Sequence, residues 1–325
     1  MSIAPPDPSE FTLPIAIITG GWSKERDRSL LSCADVRDAL ASLGLQPRVI
    51  DLERDRDSLV RRLDGVSVAL LAIAGRGAED GRLQGLLETL GIPYTGSGVL
   101  ASAVGMNKLA AKTIVAAAGV RVLEGCRIDR EAKADTEAAR IAQELGLPVI
   151  VKPVSEGGSI GLRIAHGRDE LVDAILGGAG DELMAEVYQP GRSVSVGVLV
   201  DEDTDAVRVL PPLEAETLDG VYSYTAKRNS AQCAYHCPAR VGPDALRALQ
   251  MQAVTAHRAL GCHSYSRHDF IVTASSEVLW LEVNTLPGLT RGGNLARMAH
   301  TAGIGYEHLI AHILRGARTD RRAHA

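Results

Sequence analysis

Aromatic side chains are scarce in this chain. Two Phe, two Trp and seven Tyr make up 3% of its 325 residues, so the core must be assembled from Val, Ile, Leu and Ala. Aliphatic cores of that kind suit parallel sheets covered by helices on both faces. An excess of basic residues is also missing. Lys and Arg number 35 against 40 Asp and Glu, a net charge of -5, and no nucleic-acid partner is expected. The five cysteines, Cys33, Cys126, Cys233, Cys237 and Cys262, include no CxxC pair and are odd in number, so reduced thiols and no zinc site are expected. Long apolar runs are absent too. The first twelve residues carry Pro5, Pro6 and Pro8 with acidic neighbours, where a secretory leader needs a basic start and an apolar core. The expectation is a cytoplasmic protein with no membrane attachment and mobile tails at 1–12 and 315–325.

What is present is an alternation of strand and helix over a length that calls for two or three domains. Residues 14–19 read as a buried strand, Gly20-Gly21 as a turn, and Leu30, Leu31, Ala34, Leu40 and Leu43 as a helical stripe ending at Gly44. Strands over 48–52 and 66–74 follow, the second almost wholly apolar, as in a parallel sheet buried on both sides. The glycine-rich turn 75–81 opens a helix through Leu83, Leu86, Leu87 and Leu90. A linking region at 96–103 leads into a helix over 106–118. Then come a strand over 120–128, a helix through Glu144 and a strand over 148–152, in a smaller α+β unit ending near 187. The remainder is strand-rich, with helices at 243–260, 294–302 and 306–314.

The densest chemistry lies between Ser266 and Asn284. With a turn at Ser275-Ser276, period-two alternation sets Asp269 opposite Glu282 and Arg267 opposite Asn284 on one face. Two carboxylates and an amide oxygen suit a magnesium ion that also holds phosphate oxygens, and the guanidinium suits an oxyanion. A strand pair with a solvated charged face is the plain alternative. A second motif is the strand ending Val151-Lys152-Pro153, followed by a loop with Gly157, Gly158, Ser159 and Gly161. Its backbone N–H groups can approach phosphates, and Lys152 adds a point charge. No GKS or GKT ending is present and a strand over 162–165 follows, which argues against a Walker-type NTPase and leaves a plain hairpin loop as the alternative. Gly20-Gly21 lacks the GxGxxG spacing of a dinucleotide site.

Taken together, these residues resemble the D-alanine:D-alanine ligase family of ATP-grasp enzymes. The likeness runs in order through Gly20-Gly21 with Glu25-Arg26, Glu79-Asp80-Gly81, Met106-Asn107-Lys108, Val151-Lys152-Pro153, Ala226-Lys227, Arg267-His268-Asp269 and Glu282-Val283-Asn284 through Gly288. It implies an α/β and α+β three-domain ATP-grasp architecture: an N-terminal parallel-sheet domain (1–102), a central subdomain (103–187) and a C-terminal subdomain (188–325) carrying the metal and oxyanion site. It further implies ATP and one or two Mg2+ ions, with Mn2+ as a substitute, and a homodimer acting on small amino acid or amine substrates. Lys108, Lys152 and Lys227 would contact phosphates, Gly157, Gly158 and Ser159 would cover the nucleotide, and Glu186 would lie near the adenine. Asp269, Glu282 and Asn284 would bind metal. Arg267 and the Gly288 amide would form the oxyanion site, with Lys227 assisting catalysis. Glu25 would hold the first amino acid's ammonium, and Arg228, Arg291 and Gly293 would lie at the substrates. The implied reaction passes through an acylphosphate and releases ADP and phosphate.

The departures fall on the substrate pockets. Ala74 stands where the family usually has a histidine, Gly158 where it has a serine, Arg228 where it has a tyrosine, Gly293 at its second-substrate serine and Ser193 at a ribose-binding glutamate. Lost polar contacts of about 1–3 kcal/mol each lead us to expect altered amino-acid substrates. Genuine D-alanyl-D-alanine synthesis, an intramolecular amide-forming cyclase and a non-catalytic nucleotide-binding protein are the alternatives. Elsewhere, His308 and His312 read as a surface pair, Trp22 and Trp280 as packing anchors, and His268 as facing away from Arg267 and Asp269.

Overall fold

The computed structural model describes residues 7–11, 13–178, 182–201, 204–217 and 233–319. Lys227 and Arg228 lie outside the described residues. The chain opens with β1 (Ile15–Thr19), α1 (Arg26–Ser42), β2 (Arg48–Asp51), the one-turn α2 (Leu59–Arg62), β3 (Val68–Leu71) and α3 (Arg82–Leu90). The sheet order is β2-β1-β3, all parallel. Ile15, Ile17 and Ile18 are wholly buried, as an apolar central strand covered on both faces requires. The Arg26 guanidinium forks onto Asp51 at 2.9 and 2.8 Å, tying the start of α1 to the end of β2.

Next come α4 (Val99–Met106) and α5 (Lys108–Ala117), then β4 (Gly125–Arg127), α6 (Ala134–Leu145), β5 (Val149–Pro153), β6 (Arg163–Ala165), α7 (Arg168–Gly177) and β7 (Leu183–Val187). The central strands form an antiparallel sheet, β4-β7-β5-β6. The last portion holds β8 (Arg192–Asp201), β9 (Ala206–Val209), β10 (Leu213–Thr217), β11 (Cys233–His236), α8 (Pro243–Ala259), β12 (Tyr265–Val272), β13 (Val278–Asn284), α9 (Asn294–Thr301) and α10 (Tyr306–Arg315). Its sheet runs β11-β10-β8-β12-β13, with β9 also paired to β8. Three apolar clusters hold these parts together. One joins the first sheet to side chains of α9 and α10, the second fills the space between α5, α8 and the large sheet, and the third lies within residues 128–185.

Four local expectations need correction. The region at 96–103 is mostly helical as α4. Asn107 then stops that helix in an extended conformation and caps α5, its Oδ1 accepting from the Ala110 N–H at 3.0 Å. α4 and α5 meet at 107°, and no single described helix is long and apolar enough to cross a membrane. The strand over 120–128 shrinks to β4. Trp22 is 56% exposed, its ring against Gly77 and outside the core, whereas Trp280 is fully buried. His308 and His312 are half-buried, because α10 turns that side toward the body of the protein.

His268 does face the core, in a chain of hydrogen bonds that fixes each proton. Trp280 Nε1–H donates to His268 Nδ1 at 3.2 Å, so His268 Nε2–H donates to Ser266 Oγ at 3.0 Å, and that hydroxyl donates to His257 Nδ1 at 2.7 Å. Burial pushes His257 down to about 4 and His263 to about 3. Histidines depressed in this way contribute stability above their unfolded pKa of about 6.5 that is lost as pH falls toward their folded values. Buried Glu79, raised by burial and then by the neighbouring Glu25 carboxylate, acts in the opposite direction. Two histidines outweigh one carboxylate, so the urea midpoint is expected to fall as pH drops from about 7 to about 5. Equilibrium unfolding at three pH values checks this, and a midpoint that holds or rises on acidification contradicts it.

Candidate active site

The hairpin of β12 and β13 places the metal-type ligands. Arg267 pairs with Asn284 and Asp269 with Glu282 across the two strands. Near the turn the partners are Phe270 with Trp280 and Val272 with Val278, so the register shifts by one residue between Asp269 and Phe270. That bulge lets Trp280 and Val283 both face the core while Glu282 and Asn284 share the open face with Arg267 and Asp269.

Arg267 forks onto Asp269, Nε to Oδ1 and Nη2 to Oδ2, both at 2.9 Å. Ser195 Oγ donates to Asp269 Oδ1 at 2.6 Å, and Asn284 Nδ2 to Oδ2 at 3.3 Å. Lys108 Nζ lies 3.5 Å from Glu282 Oε2 and also donates to the Glu156 carbonyl. Two carboxylates and an amide, held apart by cations, are a hard oxygen set that fits Mg2+ or Mn2+, with the Asn284 amide turned to present its oxygen.

A cleft open to solvent lies between the central sheet and the large sheet, lined by Lys108, Lys152, Ser159, Glu186, Asp269 and Glu282 among others. At its inner end Glu186 is fully buried, with Lys152 Nζ at 2.8 Å and Lys112 Nζ at 2.6 Å. Burial alone would raise the Glu186 pKa, but Lys112 and then Lys152 outweigh it and hold the carboxylate below its usual range. Two cations on one carboxylate leave local positive charge for an anionic ligand.

A second cavity opens farther along the same open face of the hairpin, lined by Glu25, Arg28, Ala74, Glu79, Gly158, Arg267, Glu282, Gly288 and Gly293 among others. Glu282 belongs to both cavities, and the Arg267–Asp269 pair spans them. Glu25, 8% exposed, sits against the glycine loop. A Cβ at Gly157 would stand 2.4 Å from Glu25 Oε2, and one at Gly158, where φ is +63°, 3.2 Å from Oε1. Two successive glycines thus let the carboxylate approach the loop backbone.

The structure gathers Lys108, Lys152, Ser159, Glu186, Asp269 and Glu282 at one cavity, and Glu25, Arg267, Asn284, Gly288 and Gly293 at the other. Arg291 is set apart: its guanidinium lies 2.7 Å from Glu307 and over the Tyr306 ring. Four residues passed unnoticed as site members in the sequence. Ser195 alternates with Ser193 and lies opposite Asp269, Lys112 follows Lys108 by one helical turn, Arg28 follows Glu25 by one turn, and Glu79 accepts from the Gly75 N–H at 2.6 Å. Spacing was the available signal for three of them.

Gly157 has no left-handed backbone, so alanine fits its conformation and collides only with the end of Glu25. Gly157→Ala is expected to leave the melting temperature within a few degrees while lowering amino-acid affinity by roughly tenfold and nucleotide affinity little. Unchanged amino-acid binding would remove Glu25 from the site.

Comparison with known proteins gives the chain's family. The family described as D-ala D-ala ligase C-terminus matches residues 114–315. The D-alanine--D-alanine ligase of Geobacter sulfurreducens is 39% identical over 306 residues, 93% of each chain. That of Geotalea uraniireducens is 40% identical, over 94% of this chain and 96% of its own. Among solved structures, the Bacillus anthracis D-alanine--D-alanine ligase complexed with ATP superposes with a TM-score of 0.80 at 26% identity, covering 95% of this chain and 97% of that one. The VanG D-Ala:D-Ser ligase from Enterococcus faecalis gives 0.78 at 26% identity, covering 93% and 98%. With an ATP-grasp fold, two cavities meeting at one acidic hairpin and relatives matched along nearly their whole length, this chain is an ATP-grasp ligase and belongs to the D-alanine–D-alanine ligase family.

Proposed function

We propose that this protein joins two D-alanine molecules through an acylphosphate, with ATP as the phosphoryl donor and ADP and phosphate as products. The observation that carries the reading is Glu282, which lines the lysine-rich cleft between the two sheets and the smaller cavity alike, so a γ-phosphate in one can meet a carboxylate in the other. Lys108 and Lys152 hold phosphate charge, and Asp269, Glu282 and Asn284 hold Mg2+, which when bound neutralises charge on the transferring group. Glu25 receives the first substrate's ammonium. Arg267 and the Gly288 amide stabilise the oxyanion as the second amine attacks the acyl carbon and phosphate departs. No protein nucleophile is required.

The relatives' names favour D-alanine in both positions over the altered substrates expected from the sequence. A different amino acid in one position is the second reading, favoured by the small residues Ala74, Gly158 and Gly293 around the smaller cavity.

Phosphate release with ATP, Mg2+ and D-alanine, together with mass-spectrometric detection of the dipeptide, tests the proposal. Glu282→Gln is expected to lower turnover by at least about 100-fold while the protein stays folded. Full activity in that variant, or AMP and pyrophosphate as products, would reject the mechanism. ADP formation with another amino acid but not with D-alanine would establish the second reading.

A further inference from the structure

We propose that Arg28 anchors the carboxylate of the amino acid that enters as the amine. The inference rests on the ligase reading above and deepens it by naming the group that selects the second substrate.

α1 presents one stripe to the smaller cavity. Glu25 precedes its first turn, Arg28 and Ser29 follow three and four residues on, and Ser32 lies one turn further. Contacts at the ends of that stripe locate it. Glu25 lies against Gly157 and Gly158, whereas Ser32 Oγ accepts from the Leu289 N–H at 3.2 Å and Asp35 Oδ2 from the Arg291 N–H at 2.9 Å. Arg28 therefore stands between the glycine loop and the 288–293 loop. The helix turn that carries it is fixed, because Ser29 Oγ accepts from the Ala74 N–H and the Ser29 carbonyl accepts from Thr19 Oγ1.

The charges in this cavity point to the ligand. Among the described residues its acids are Glu25, Glu79 and Glu282, and its cations are Arg28 and Arg267. Two amino acids would bring two ammonium groups and two carboxylates. Arg267 is forked onto Asp269 and belongs to the reacting carboxylate. Arg291 is engaged with Glu307 and does not line the cavity. Gly293, at the far wall, has no side chain to offer. Arg28 is exposed, and its guanidinium has no ion pair among the described residues. It supplies a permanent planar donor fork that matches a carboxylate.

The test is an internal competition. Wild type receives ATP, Mg2+ and equimolar D-alanine and D-alaninamide, and mass spectrometry reads the ratio of D-alanyl-D-alanine to D-alanyl-D-alaninamide. The two acceptors differ in the carboxylate, and their intrinsic reactivities cancel when ratios are compared between variants. Arg28→Gln is expected to shift the ratio toward the amide by at least about tenfold, with Arg28→Lys in between, because ammonium keeps the charge and loses the fork. A folding defect lowers total product without moving the ratio. An unchanged ratio in Arg28→Gln overturns the assignment and leaves the ligase reading standing. A wild type that makes neither product overturns the D-alanine ligase reading and this inference with it.

Discussion

The one-residue bulge between Asp269 and Phe270 is the constraint on which the site depends. Near the turn, Phe270 faces Trp280 and Ile271 faces Leu279. Continued without interruption, that register would set Asp269 against Leu281 and carry Glu282 around to the core side with Trp280. The bulge adds one residue to β13, so Trp280 and Val283 both bury while Glu282 arrives opposite Asp269. A hydrophobic demand for Trp280 and a chemical demand for Glu282 are thereby met on one short strand. The position of Glu282 is what joins the cleft between the sheets to the smaller cavity.

Around that hairpin three carboxylates are held by cations. Asp269 has Arg267, Glu282 has Lys108, and Glu186 has both Lys112 and Lys152. A carboxylate buried as deeply as Glu186 would otherwise be pushed toward its protonated form, as Glu79 is beside Glu25. The pairs orient the carboxylates, ready to exchange a side-chain cation for a metal ion or a phosphate. Pairs of this kind stabilise the fold little, since desolvation offsets most of the attraction, and their value lies in placing charge before the ligand arrives.

Much of this was legible in the sequence because it rests on short-range periodicity and ordered motifs. The apolar runs of β1 and β3 gave the parallel sheet, and alternation gave the shared face of Arg267 and Asp269. The facing of Asp269 and Glu282 came out right from a turn placed at Ser275-Ser276, half a residue beyond the observed hairpin centre, and the bulge made up the difference. A bulge leaves no local signature when both competing registers offer a plausible apolar face. Three-dimensional pairings were hidden for a similar reason: Lys112 on Glu186 and Ser195 on Asp269 join segments 74 residues apart in each case. Arg291 carried the right charge in the right loop, and only the position of Glu307 on α10 showed where it turns.

The central claim is that Asp269, Glu282 and Asn284 form one cation site at the meeting of the two cavities. Crystals grown with Mn2+ and a non-hydrolysable ATP analogue, with the metal located by its anomalous signal, test it most directly. The expected result is a peak bounded by oxygens of those three residues at about 2.1 Å, with the analogue's terminal phosphate facing Arg267. A metal bound elsewhere, or an analogue seated with its phosphates away from Glu282, would contradict it.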